Sequence, residues 1–565
     1  MVTRRSFLKY GVGTGGLLTV PWVAAPALAS TGRRLTKYVE PVPVPGAGIV
    51  VATPTSANQY AFTQTQIARR LHPDLPPTPL WAYDDGSGLA GQAGSFGMAV
   101  IAQSGTPVDI SFTHRLPDTY PAWLPVDTRE TPLGRQVRLM THLHGGFVAA
   151  DSDGNPWITP NGFGVGETQT VHYTNQLPQM PASLLWFHDH GLGTTRLNVL
   201  AGLAAAYILR DQHDTGDEPN PIGIPGGAYE IPLVIQDRQF NPDGTFLYPT
   251  SDIPGAVWIG EYFGDVMLVN GKVWPFLEVE PRLYRLRILN GCNARILNLD
   301  IGSARMWQIG AEGGMWDIPV PIRRILLAPA ERADVLVDFS SLAGETLPVK
   351  NLQPPKPVVT PAPPLTQVMQ LRVGTRVSRP GPSAIPTHLP GRAANLPDRV
   401  AGTRYITLNE IGTDTVDWVL LLNGDDFEAP PTETPRVGAV EDWVYVNLTG
   451  DTHPMHTHLV TAQVIGRTPF DADAYRAAYA GTKGVSGGID PSPFATGPME
   501  PPDPTERGFK DTVRVNPGYF TTVRAQFDLP AGVTAPQTYV YHCHILEHED
   551  NDMMRPFTVI SEDGG

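Results

Sequence analysis

Residues 542–554 read HCHILEHEDNDMM, and no other stretch constrains the fold as strongly. Cys543 lies between His542 and His544, His548 follows it at the fifth position, and Met553 follows at the tenth. A thiolate, an imidazole and a thioether from one short segment supply most of a trigonal His2Cys copper site with a weak axial methionine. In a strand, residues i and i+2 share one face and residue i+1 takes the other. Cys543 is therefore expected to serve one metal while His542 and His544 serve others behind it, so that one residue links two metal centres covalently.

Three further histidine runs lie far away in the chain: His142-Leu143-His144, His188-Asp189-His190, and His453-Pro454-Met455-His456-Thr457-His458. Of 15 histidines, only His72, His114, His172, His213 and His388 fall outside the four runs. A single His-x-His is unremarkable on a surface strand. Four such runs together with Cys543 and Met553 require a fold that gathers them.

The 565 residues, 41% of them hydrophobic, suffice for three or four packed cores at roughly 150 residues per domain. With 57 Gly, 58 Pro and short β-branched and aromatic runs, the chain reads as all-β and built of sandwiches. A net charge of −15 excludes the basic footprint that nucleic-acid binding needs. There are two cysteines. With Cys543 as a ligand no intrachain disulfide can form, and Cys292, in Asn290-Gly291-Cys292-Asn293, is expected to be a buried thiol acting as a small hydrophobe.

The N-terminus carries an address. Arg4-Arg5 precedes a weakly apolar, glycine-rich stretch, and Ala27-Leu28-Ala29 offers a small-residue cleavage site. This resembles a twin-arginine export signal spanning 1–29, too short and glycine-rich for a stable membrane anchor. The resemblance implies the twin-arginine machinery as a partner, delivery of the folded protein, and a periplasmic, cell-surface or secreted destination.

Beyond the signal, a first domain is expected over 35–211, a second over 216–373, a linker over 374–400 and a third over 401–565. Strand candidates are 97–102, 108–113, 137–144, 167–173, 183–190 and 204–210 in the first domain. In the second they are 231–237, 265–269, 284–290, 334–339 and 367–373. No histidine occurs between His213 and His388, so the second domain reads as a scaffold without copper. Residues 475–507, rich in Gly, Pro and Ala, read as a long surface loop. The first and third domains each carry an early and a late His-x-His, as weak repeats meeting at an interface would.

The motifs HLHGG (142–146), DSDG (151–154), WFHDH (186–190), LVNGKVWPFLEVEPR (268–282), LAPAERADVLVDF (327–339) and HCHILEHEDNDMMRP (542–556) support a resemblance that extends over nearly the whole mature chain. In them the chain resembles the three-domain multicopper oxidases, most closely bacterial laccases of the spore coat protein A type, with bilirubin oxidase and phenoxazinone synthase as relatives. The resemblance implies three consecutive cupredoxin-like Greek-key β-sandwich domains and four copper ions. It gives His453, Cys543 and His548 to a mononuclear blue copper, with Met553 axial and Met554 left to packing. It gives His142 and His456 to one copper of a trinuclear cluster, and His144, His188, His190, His458, His542 and His544 to the other two. It also implies that Glu549 and Asp153 serve the oxygen-reducing cluster as proton carriers; orienting a ligand imidazole is the plainer role for each. Dioxygen and a small aromatic reductant would be the partners of a monomeric enzyme. A metallo-oxidase acting on Cu(I) or Mn(II) is the alternative, although no methionine-rich insert is evident and only Met499 lies in the long loop of the third domain. Gly450-Asp451-Thr452 before His453 departs from the tryptophan typical of bilirubin oxidases. A copper-free scaffold is disfavoured because every ligand is present.

Overall fold

The computed structural model describes residues 35–89, 97–251, 257–391, 395–413, 416–480 and 487–561. The proposed export signal lies outside them. Among the described residues no helix is long and apolar enough to cross a membrane.

Among the described residues, six sheets form in three successive pairs. Residues 44–210 make a six-stranded and a four-stranded sheet, residues 230–373 a seven- and a five-stranded sheet, and residues 402–559 a five- and a four-stranded sheet. The outer strands show why. Val108–His114 and Thr168–Tyr173 alternate buried and more exposed side chains, the period of a sheet with one face on a core. Glu230–Arg238 and Leu283–Asn290 are buried at every residue. Their charged members survive burial by pairing: Arg285 binds Asp214 (2.8 Å), and Arg287 reaches Glu230 (3.1 Å).

The strands carrying the histidine runs pair directly. Thr141–His144 lies antiparallel to Leu184–Asp189 with His142 opposite His188. His453–Thr457 lies antiparallel to Gln537–Cys543 with His456 opposite His542. The two ends of the chain are tied together beside these strands. Asp550 accepts the backbone N–H groups of Thr195 and Arg196 at 2.9 and 3.0 Å and the Arg196 guanidinium at 2.9 Å. Glu547 accepts from Tyr248 and Asn293, both at 2.9 Å.

Two expectations need correction. The 137–144 strand shortens to Thr141–His144. Leu139 pairs with Phe163 instead, and the Met140 N–H donates to the Asp189 carboxylate (2.9 Å), so these residues leave the ladder. The 475–507 segment is no simple surface loop. Its start lies in the helix Ala472–Ala480, where the Asp471 carboxylate accepts two first-turn N–H groups. Tyr475 is buried against Phe470 and Phe494, and Glu506 pairs with Arg467 at 2.7 Å. Cys292 is buried, as expected.

Candidate metal centre

Cys543 ends its strand with its side chain on the face opposite His542. Its Sγ lies 3.4 Å from His453 Nδ1 and 3.7 Å from His548 Nδ1, and those two nitrogens are 3.2 Å apart. All three residues are buried. The other nitrogen of His453, Nε2, is engaged by Thr449 Oγ1 at 2.6 Å, which turns Nδ1 toward the sulfur. The Ile545 N–H donates to Sγ at 3.4 Å. Met553 is fully buried and held at both backbone ends: its carbonyl accepts from the Cys543 N–H and its N–H donates to the His548 carbonyl, both at 3.0 Å. Met554 packs instead with Phe427 and Val540. Burial pushes the Cys543 thiol well up and His453 down to about 3. A cation among these groups reverses that penalty by ionising the thiol.

On the other side of Cys543 the remaining eight clustered histidines converge. His142 stacks on His458 at 3.8 Å between ring centres, and His144 on His456 at 3.7 Å. Each stack joins the first pair of sheets to the last. His190 and His542 face each other through Nε2 at 3.3 Å. His544 sits 5.3 Å from His188 and 4.9 Å from His144, ring to ring.

The hydrogen bonds separate the outward nitrogens from the inward ones. Nδ1 of His142 donates to the Asp153 carbonyl (2.5 Å), Nδ1 of His458 to the Asp153 carboxylate (2.7 Å), Nδ1 of His456 to the Asp511 carbonyl (2.8 Å) and Nδ1 of His188 to the Asp189 carbonyl (2.9 Å). Nε2 of these four rings is buried with no protein hydrogen-bond partner, as are Nδ1 of His144 and both nitrogens of His544. Buried polar atoms are almost always satisfied. Burial first, then mutual repulsion, lowers the pKa of His142, His144, His190, His458 and His544, so these imidazoles are neutral and present lone pairs. Neutral imidazoles with their outer N–H anchored are the usual condition of metal ligands. Nitrogen donors beside a thiolate and a thioether suit copper.

Both candidate acids touch this cluster. Glu549, fully buried, lies 3.4 Å from His190 Nδ1 and 3.2 Å from His542 Nδ1. Asp153 contacts His142 and His458, and burial pushes its carboxyl well above the usual range against a lowering hydrogen bond from Asn155. Several neighbours were not read from the sequence. Asp511 approaches His144 and His456, and Trp186 packs 4.2 Å from the His188 ring. Next to the Cys543 cluster, His548 lines a small pocket with Trp258, Glu261, Glu410, Trp418 and Asp451. Of these, Asp451 alone carried a signal, two residues before His453. A cavity of about 920 Å³ beside Tyr229, Tyr284 and Arg372 is lined by none of the twelve ligand candidates.

Comparison with known proteins agrees with this chemistry. The multicopper oxidase family pattern matches residues 396–563. A laccase of Bacillus subtilis is 35% identical over 546 residues, covering 93% of this chain and 99% of its own. A laccase of Haloferax volcanii is 35% identical, covering 99% and 91%. The crystal structure of the McoA multicopper oxidase from Aquifex aeolicus superposes with a TM-score of 0.71 at 26% identity, over 93% of this chain and all of that one. With its cupredoxin-like sheets and its copper-type ligand clusters, the chain belongs to the multicopper oxidases.

Proposed function

We propose that the protein is a laccase-like oxidase coupling one-electron oxidation of phenols and aromatic amines to four-electron reduction of dioxygen to water. The observation that carries this reading is the placement of Cys543, whose sulfur faces His453 and His548 while its two neighbours face the eight-histidine chamber. Copper, when bound, supplies the one-electron redox centres. His453, Cys543, His548 and Met553 would hold one copper ion, His142 and His456 would hold a second, and His144, His188, His190, His458, His542 and His544 would hold a further two. The middle pair of sheets, between the proposed 35–211 and 401–565 domains, holds none. Export by the twin-arginine route would deliver the folded protein with its thiolate already ligated.

The chain's own groups handle protons. Asp153, its pKa raised by burial, holds a proton beside His142 and His458, and Glu549 bridges His190 and His542 from behind. Glu549→Gln is expected to keep copper and blue colour while oxygen reduction slows roughly 10–100-fold, the usual cost of altering a group behind a ligand. Unchanged oxygen uptake by the variant, followed with an oxygen electrode, would remove Glu549 from proton delivery.

The acidic mouth favours a second reading, a metallo-oxidase taking Cu(I) or Mn(II). Glu261, Glu410 and Asp451 crowd the pocket at His548, and burial raises Glu410 to about 8 and Asp451 to about 6. A cation entering there would relieve the crowding. Steady-state rates on a phenol, an aromatic diamine, bilirubin, Cu(I) and Mn(II) separate the readings. The laccase reading expects the aromatic donors to lead. The second expects a metal ion to lead and to lose about tenfold in kcat/KM in Glu261→Gln, about 1.4 kcal/mol, with phenol unaffected.

A further inference from the structure

We propose that Arg332, a residue of the middle pair of sheets, sets the geometry of the eight-histidine chamber through Asp511. Arg332 is a positioning residue under this proposal, and the proposal rests on the chamber holding copper.

Arg332 opens the strand Arg332–Asp338, and its guanidinium is buried. Nη1 and Nη2 grip the two Asp511 oxygens at 2.8 and 2.6 Å, a bidentate fork. Two further donors are anchored as well: Nε reaches the Leu184 carbonyl of the first sheet pair and Nη1 the Ala330 carbonyl, both at 3.0 Å. Beside it, Lys510 Nζ binds Glu312 at 2.8 Å and Glu331 at 3.1 Å. The 510–511 step is thus held by three residues of the middle sheets. Gly145 closes the other side with φ +86°, where a Cβ would lie 2.7 Å from Asp511 Oδ2 and 3.0 Å from Arg332 Nη2.

Asp511 in turn addresses one histidine from each end of the chain. His144 Nε2 donates to its carboxylate at 3.1 Å, and His456 Nδ1 donates to its carbonyl at 2.8 Å. The consequence is specific. With Nε2 of His144 shared between Asp511 Oδ1 and Thr512 Oγ1, each at 3.1 Å, the nitrogen left for metal is Nδ1, which is buried and has no protein partner. The other anchored rings present Nε2 instead. Asp511 lies near enough to His144 and His456 to suggest that it is itself a ligand. The fork argues otherwise, because both its oxygens serve Arg332 and the nitrogens turned toward it are the outward ones.

Two experiments on the copper-loaded protein test this. A crystal structure is expected to show His144 ligated through Nδ1 while its stacking partner His456 is ligated through Nε2. Ligation of His144 through Nε2 would overturn the proposal, since the Asp511 carboxylate would then not hold the outer N–H of that ring. Arg332→Lys keeps the charge and loses the fork, and Asp511→Asn keeps the size and puts an amide against an N–H. Each is expected to alter the electron paramagnetic resonance of the non-blue copper and to release that copper to a chelator roughly 10–100-fold more readily. The blue Cu–thiolate band should stay at wild-type intensity, which shows that the fold is intact. Wild-type resonance and copper retention in both variants would overturn the proposal. A wild-type protein that takes up no copper and stays colourless would overturn the oxidase reading and this inference with it; a blue protein failing either test loses the inference alone.

Discussion

Cys543→Ser is expected to yield a colourless protein that retains copper in the eight-histidine chamber and loses essentially all turnover. Serine is close to cysteine in size, so the fully buried position tolerates it sterically. The backbone is fixed independently of the sulfur, by the Cys543 N–H to the Met553 carbonyl and by the pairing of Cys543 with Met455. His542 and His544 therefore keep their places among the other imidazoles. What disappears is the thiolate: a hydroxyl does not ionise beside His453 and His548 and is no soft donor for copper. The loss of activity should exceed the roughly 10–100-fold typical of changes behind a ligand, because the direct covalent link from the His453–His548 site through His542 and His544 to the chamber loses its donor atom. Copper analysis, visible absorption and oxygen uptake on one preparation decide the matter. A serine variant that stays blue, or that turns over at even a tenth of the wild-type rate, would take Cys543 out of the electron path.

The candidate ligands were legible because metal chemistry compresses such residues into short runs. His-Cys-His with histidine and methionine at fixed offsets identifies itself, and runs far apart in sequence imply a meeting place. Strands 204–210 and 367–373 appear as read: the second alternates over much of its length, and the first is a short apolar run buried at all but its last residue. The residues that escaped notice belong to no run. Asp511 sits in an ordinary strand-like stretch, and its role depends on Arg332, contributed by another pair of sheets. Glu261 and Glu410 reach the mouth from separate parts of the chain, and only folding places them beside His548. The helix at Ala472–Ala480 was hidden in an alanine- and glycine-rich segment, and it is held by Tyr475 packing on Phe470 and Phe494 rather than by local pattern. Residues 137–140 mislead in the opposite way. They have a strand's composition, but the Asp189 side chain takes the Met140 N–H.

The same burial that prepares the imidazoles for metal should make the copper-free protein collapse in acid. His188 is lowered to about 4 and His453 and His456 to about 3, chiefly by burial, and His142, His144, His190, His458, His544 and His548 are also lowered. An unfolded chain protonates its histidines near pH 6.5. Below that pH the unfolded state binds more protons than the folded one, so these groups stabilise the fold fully above 6.5 and progressively less as pH falls. Each contributes a slope of about 1.4 kcal/mol per pH unit until its folded pKa is reached. Buried acids oppose this over part of the range. Asp189 and Asp550 are raised to about 7, Glu410 to about 8 and Asp451 to about 6, and burial also raises Asp153, Glu261, Glu312 and Glu547, so the folded state retains their protons where the unfolded state has lost them, nearly one acid for each lowered histidine. That compensation ends near pH 4, where these carboxyls are protonated in both states. Below it the lowered carboxylates join the histidines: Asp214 and Glu506, held down by arginines against the opposing cost of burial, must also be protonated. A gently sloping stability above about pH 4.5 should therefore give way to cooperative unfolding within about one pH unit, because even three uncompensated histidines remove roughly 4 kcal/mol per unit from a total of about 5–15 kcal/mol. Copper binds the deprotonated imidazoles of the folded state and adds its binding free energy there, so the loaded protein should unfold at a lower pH than the stripped one. Circular dichroism against pH on the two forms measures this. A stripped protein that keeps its fold to pH 3, or that unfolds at the same pH as the loaded form, would mean that these rings are not the neutral, inward-facing set that the copper chemistry requires.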